Sequence, residues 1–208
     1  MSLTFEYGDI ISKYCESNRN LILQQNNCTA TKVSKQSFAG KLSEKLPYSN
    51  PYKDRRQGPF PNLANINDRP KPGSINLRCG NRKNDPLVCC CFGQYRMGNG
   101  SVPYYMNSPK TDITYKKTVD DPKKRFQYFS KCLSQLLTKF KKRDHLGLNR
   151  IETILVPGYI GCGLGGGDWN FYKNEITEFY ASLKCIRPDI NIKVVYLNHP
   201  NKHTQKNE

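Results

Sequence analysis

The stretch VPGYIGCGLGGGDW, residues 156–169, places five glycines at positions 161, 163, 165, 166 and 167, after an apolar run and before a helix-like segment. Such a run is either a slack linker or backbone shaped to touch a ligand. A linker would not separate a buried strand from an amphipathic helix, and IETILVP (151–157) and DWNFYKNEITEFYASL (168–183) read as that pair. The glycines therefore form a strand-to-helix turn, at the strand end where open α/β sheets bind ligands. Glycine there permits positive φ and lets backbone N–H groups approach a phosphate with no side chain in the way. The N-terminus of the following helix adds partial positive charge. A tight turn with a purely structural role is the alternative reading.

Two familiar phosphate motifs do not fit. Gly161, Gly163 and Gly166 satisfy GxGxxG, but Gly158, Tyr159 and Ile160 separate them from the strand, and only one more strand follows, leaving no room for a dinucleotide-binding unit. The P-loop pattern fails because Gly167 stands where its Lys belongs. A second candidate is NLILQQNN (20–27), an apolar run ending in amides, as in a central strand that delivers polar groups at its C-terminal end. Asn27 is the last of these, and short amides of this kind also commonly satisfy local backbone.

The elements that must position these groups alternate between strand and helix. LTFEYGDII (3–11) reads as an opening strand, DPLVCCCFGQY (85–95) as a core strand and NIKVVYLN (191–198) as the closing one. Phe38, Leu42 and Leu46 predict a short amphipathic helix over 37–47, stopped by Pro47. DDPKKRFQYFSKCLSQLLTKF (120–140) predicts a longer one, with Asp caps, Pro122 in its first turn and Phe126, Phe129, Leu133, Leu136, Leu137 and Phe140 along one face. The fold class expected is α/β, a mixed central sheet with helices packed on its faces. Residues 48–86, in which only GSINLRC looks extended, and 98–120 read as irregular surface insertions within one domain over 1–198, and the basic tail 199–208 as disordered.

The chain has 208 residues, 37% hydrophobic, with 33 Lys and Arg against 17 Asp and Glu, a net charge of +16. That field attracts polyanions, but the basic residues are scattered and match no DNA-binding motif, so they suit phosphate-bearing ligands in general, with a dedicated nucleic-acid face as the alternative. No apolar run has the length of a membrane span, and the first residues do not read as a signal peptide. The nine cysteines contain no CxxC pair and no neighbouring histidine, which disfavours a metal site. The expectation is a cytoplasmic protein with free thiols, no membrane contact and no cofactor.

The loop PGYIGCGLGGGDW resembles the second ligand loop of macro domains, in the variant carried by proteins similar to ADP-ribose 1″-phosphate phosphatases. YGDI at 7–10 resembles the family's N-terminal GDI, whose Asp receives the adenine amino group; LQQNN resembles the strand end that often reads VNAAN, with Gln24 and Asn27 at its two Asn positions. QSFAGKLSEKLP resembles the family's first helix. The resemblance spans about residues 5–197, and it implies a three-layer α/β/α sandwich that binds ADP-ribose or an ADP-ribosylated substrate. Asp9 and Ile10 would then meet adenine. Ser37 and Phe38, entering the first helix, together with Ile160, Gly161, Cys162, Gly163, Leu164, Gly165 and Gly166, would surround the diphosphate. Asn27 would hold the terminal ribose.

The chain also departs from the family. Its usual glycine-rich first loop is replaced by ATKVSKQSFAG. In macro domains like the terminal ADP-ribose glycohydrolase, a Lys at the end of the middle strand and an Asp in the second loop carry catalysis; Gln94 and Gly165 occupy those positions here. Gln forms no Schiff base, so hydrolysis would rest on positioning a water, with Asn27 and either Asp168 or Gln94 orienting it. Asp168 also stands where a helix N-cap belongs. Three functions follow: hydrolysis of a terminal-ribose substituent (a 1″-phosphate or an ADP-ribosyl linkage), binding of ADP-ribose without turnover, or nucleic-acid binding through the basic surface.

Overall fold

A computed structural model describes residues 2–98, 118–142 and 147–197. Six strands form one sheet in the order β1-β6-β5-β2-β4-β3: β1 (Leu3–Tyr7), β2 (Asn20–Asn27), β3 (Ile75–Arg78), β4 (Leu87–Gln94), β5 (Thr153–Pro157) and β6 (Asn191–Tyr196). All neighbours are parallel except β3, which pairs antiparallel to β4 at the edge. The sheet is mixed, as the alternation of elements predicts. Among the described residues four α-helices accompany it: α1 (Ile10–Tyr14), α2 (Phe38–Lys45), α3 (Pro122–Lys142) and α4 (Trp169–Lys184).

Alternation along the central strands builds two cores. Leu21 and Leu23 of β2 and Cys89 and Cys91 of β4 face α3 and α4, where they meet Phe129, Leu133, Ile176 and Phe179. Ile22, Val88 and Cys90 point the other way, onto Ile10 of α1 and Leu42 of α2. Residues buried on both faces give the near-continuous apolar runs LIL and LVCCCF, and each such aliphatic side chain contributes about 1.5–3 kcal/mol by leaving water. The three consecutive cysteines act as small apolar side chains at the centre of the sheet, and all nine cysteines are free thiols.

Two expectations are corrected. The opening strand ends at Tyr7, not 11: Asp9 N-caps α1, accepting from the Ile11 amide at 3.0 Å, so the chain turns into a helix where alternation suggested more strand. Of the two candidate caps of α3, Asp121 accepts from the Lys124 amide at 2.7 Å, whereas Asp120 is buried and pairs with Arg125. The excursion 48–86 holds β3 and is pinned back onto the fold, with Ala30 bridging Leu63 and Gln57 bridging Ala64. Most of the 98–120 insertion, and the tail expected to be disordered, lie outside the described residues. Among the described residues no helix is long and apolar enough to cross a membrane.

Candidate functional site

A cleft of about 670 Å³ opens at the C-terminal ends of β2, β4 and β5. One wall is the turn from Pro157 to Gly165; the other is Lys32 to Ala39, with Tyr52 and Asn62 from the excursion behind it; the floor is Gln25, Asn26, Asn27 and Gln94.

The glycine turn is a built structure. Tyr159, Gly161 and Gly166 take φ of 58°, 77° and 70°. At Gly161 a Cβ would stand 2.5 Å from the buried Tyr172 ring, so both the left-handed backbone and the packing require glycine. The amides of Ile160, Cys162, Gly166 and Gly167 donate to carbonyls within the turn. Those of Gly161, Gly163, Leu164 and Gly165 have no acceptor among the described residues. Gly163 has no positive φ, and nothing lies within 4 Å of where its Cβ would be: its absent side chain leaves space in the cleft.

The floor comes from a break in the β2–β4 ladder. Register shifts between Gln25 and Asn27, which pair with Cys91 and Gln94, and the irregularity splays the strand ends. The Asn27 side-chain oxygen accepts from the amides of Thr29 at 3.1 Å and Ala30 at 2.7 Å, so half of its carboxamide is engaged by local backbone. Gln94 donates to the Arg96 carbonyl at 2.9 Å and accepts from Gln25 at 3.4 Å. It faces the glycine turn, since a Cβ on Gly165 would sit 3.2 Å from its Oε1. The side-chain oxygens of Gln25 and Asn26 are buried without a partner. Gln24 lies on the opposite side of the sheet, donating to the Ser49 carbonyl at 2.7 Å.

Of the residues singled out from sequence, Asn27, Gln94, Ser37, Phe38, Ile160, Gly161, Gly163, Leu164 and Gly165 line the cleft. Asp9, Ile10, Cys162, Gly166 and Asp168 do not. Ile10 is buried under the sheet, and Asp168 caps α4 by accepting from the Asn170 amide at 2.8 Å. The Cys162 thiol turns onto the Ile160 carbonyl at 3.4 Å, and burial, with the Asp168 carboxylate adding to it, pushes its pKa up to about 12. Between Asp9's end of the sheet and the cleft wall run three rings: Tyr7, two residues before Asp9, lies 5.7 Å from Tyr196, which lies 5.3 Å from Tyr159.

Sequence reasoning missed Gln25, Tyr52, Asn62 and the Asp120–Arg125 pair. The Tyr52 hydroxyl accepts from the Asn27 amide at 3.1 Å, and the Asn62 side-chain oxygen, on a residue at φ 57°, accepts from the Lys32 amide at 3.0 Å. An Asn within a Pro-rich stretch is a fair signal of left-handed backbone, but not of which loop it will brace. The ion pair, 2.6 Å between Arg125 and Asp120, has no sequence signal beyond a charged helix start.

No family model and no curated protein matches the sequence. Solved structures do match. A Bacteroides thetaiotaomicron protein aligns with TM-score 0.56 and 19% identity, over 94% of this chain and 99% of its own. An Oceanobacillus iheyensis macrodomain mutant solved with ADPR aligns with TM-score 0.51 and 12% identity, over 94% of this chain and 84% of its own. The alphavirus P23pro-zbd structure aligns with TM-score 0.51 and 9% identity, over 95% of this chain and 22% of its own.

Proposed function

We propose that this chain, which has the macrodomain fold, binds ADP-ribose in the cleft at the C-terminal ends of β2, β4 and β5. The observation that carries this reading is the row of amides at Gly161, Gly163, Leu164 and Gly165, cleft-lining residues whose N–H groups have no acceptor among the described residues, beside the open space at Gly163. A diphosphate supplies the acceptors such amides lack, and the first turn of α2 at Phe38 and Ala39 adds donors from the opposite wall. The solved macrodomain with ADPR supports the same ligand. Asp9 would take the adenine amino group with the carboxylate oxygen that its capping bond leaves over.

Binding without rapid turnover is the primary function. Among the described residues lining the cleft there is no Asp, Glu or His, the side chains most used for general acid–base catalysis near neutral pH. A second reading, slow hydrolysis of a terminal-ribose substituent such as a 1″-phosphate, is favoured by the buried, unpartnered side-chain oxygen of Gln25, whose amide lies beside Gln94 on the cleft floor. Calorimetry with ADP-ribose tests the first reading: binding in the wild type, weakened by about 1.5–3 kcal/mol in Asp9→Ala, is expected. No heat of binding at millimolar ligand would refute it. Release of phosphate from ADP-ribose 1″-phosphate at high protein concentration would promote the second reading, and its absence alongside tight binding would leave a reader of ADP-ribose.

A further inference from the structure

One buried guanidinium touches both the glycine turn and the segment that follows β4. Arg125, in the first turn of α3, is 1% exposed, and one of its terminal nitrogens donates to the carbonyls of Gly98 and, at 3.0 Å, of Gly165. The other donates to Asp120 at 2.6 Å and to the Arg96 carbonyl at 3.4 Å. The Asp120 carboxylate in turn accepts from the amides of Tyr95 and Arg96, each at 2.7 Å. Asp120 therefore holds only the 95–96 side, and Arg125 reaches across to the turn.

The consequence follows from peptide planarity. A bond to the Gly165 carbonyl fixes the plane that also carries the Gly166 N–H, and that N–H donates to the Gly163 carbonyl at 3.0 Å. The Gly163 carbonyl shares its own plane with the Leu164 N–H, which points the opposite way across a trans peptide and is one of the unengaged amides. Two rigid planes thus connect the guanidinium to a donor aimed away from the loop's own carbonyls. A flexible glycine turn would otherwise sample many orientations of that donor.

We infer that Arg125 is a positioning residue: seated on Asp120, it sets the peptide orientations of the glycine turn and couples them to residues 95–98, so that both parts of the cleft rim hold one geometry together. Its bearing on ligand affinity rests on the ADP-ribose reading, but the coupling itself is measured without ligand. Asp120→Asn alters a side chain that touches the 95–96 amides and Arg125 but no part of the glycine turn, so a merely local role leaves the turn unaffected. Native-state hydrogen exchange should show the bonded amides of Gly166 and Gly167 exchanging about tenfold faster or more in this variant, together with Tyr95 and Arg96, while amides of β2 and β5 change about twofold or less. Arg125→Lys, which keeps a positive charge but loses the planar fork, should loosen the same two glycine amides. ADP-ribose should bind about tenfold more weakly to either variant, and adenosine, which lacks the diphosphate, about as well as to the wild type. Unchanged exchange at Gly166 and Gly167, or a rise shared equally with the strands, overturns the inference. Should the wild type bind no ADP-ribose while the turn still loosens in the variants, the ADP-ribose reading falls and the positioning role stands. If Asp120→Asn does not fold, Arg125→Lys carries the same exchange measurement and the same two outcomes.

Discussion

The two walls of the cleft use the same groups, backbone amides at turns beside strand or helix ends, to opposite effect. In the wall opposite the glycine turn the stretch from Asn27 to Lys32 satisfies itself: Asn27 takes the amides of Thr29 and Ala30 and Asn62 takes that of Lys32, whereas the amides of Phe38 and Ala39, beyond the Ser37 cap of α2, have no acceptor among the described residues. In the glycine wall the carbonyl of Gly165 is held from beneath by Arg125, while four amides on the turn have no acceptor among the described residues. The stretch from Asn27 to Lys32 is held through its donors. The glycine wall is held through an acceptor, and its donors stay available. A binding surface for an anion needs the second arrangement, since a donor already bonded to protein must break that bond before it gains a ligand.

The largest way to break the contrast is to remove what holds the glycine wall. Arg125→Ala leaves Asp120 buried and unpaired, and a loss of about 3–5 kcal/mol of stability is expected in urea unfolding. Next come two glycines that differ only in what a side chain would meet. Gly163→Val should lower ADP-ribose affinity about 100-fold or more, which is about 2.7 kcal/mol, while the urea midpoint stays near that of wild type. Gly161→Ala, with a left-handed φ and the Tyr172 ring in the way, should instead cost about 1–3 kcal/mol of stability. Equal stability losses at the two positions would show that both glycines are structural. On the self-satisfied stretch, Asn27→Asp keeps the oxygen that the Thr29 and Ala30 amides need and loses the NH₂ that no protein group engages; Asn27→Ala loses both. Only the Ala variant should be destabilised, by about 1–2 kcal/mol, and thermal unfolding of the pair decides it.

The pH dependence rests on buried thiols. Burial raises the thiol pKa of Cys162 and Cys90 from 9.0 to about 12 and that of Cys15 to about 11. With folded pKa values above those of the unfolded chain, the unfolded state loses its protons first. Stability is thus fully present below about pH 9 and declines as pH rises from there toward 11–12. Urea midpoints at pH 7.5 and 10 should differ in that direction, with no change between pH 7 and 8.

Much of this architecture was readable from periodicity. β2 runs from Asn20 to Asn27 as its apolar run and terminal amides predict, and α3 buries Phe129, Leu133, Leu136 and Phe140 on the expected face. The glycine turn was legible because no other residue type explains Gly161, and its neighbours in the cleft follow from chain continuity. What stayed hidden depends on contacts between segments distant in sequence. Asp120 reads as a helix cap until Tyr95 and Arg96 are brought beside it, and Asn62 reads as a loop residue until it takes the Lys32 amide. The end of β1 was misplaced for a local reason, because Asp9 competes for the backbone of α1 and alternation alone does not register a cap.

The strand order also dictates when this protein can be completed during synthesis. β1 lies at the sheet edge and pairs only with β6, matching Leu3 to Ile192 and Tyr7 to Tyr196. At the usual pace of translation the first strand therefore waits roughly 10–40 s for its partner to be made. Until then β1 lacks the strand it pairs with, while β2 and β4, much nearer in sequence, can already meet. The middle of the sheet can thus assemble before its border, and β6 is the strand that seats β1.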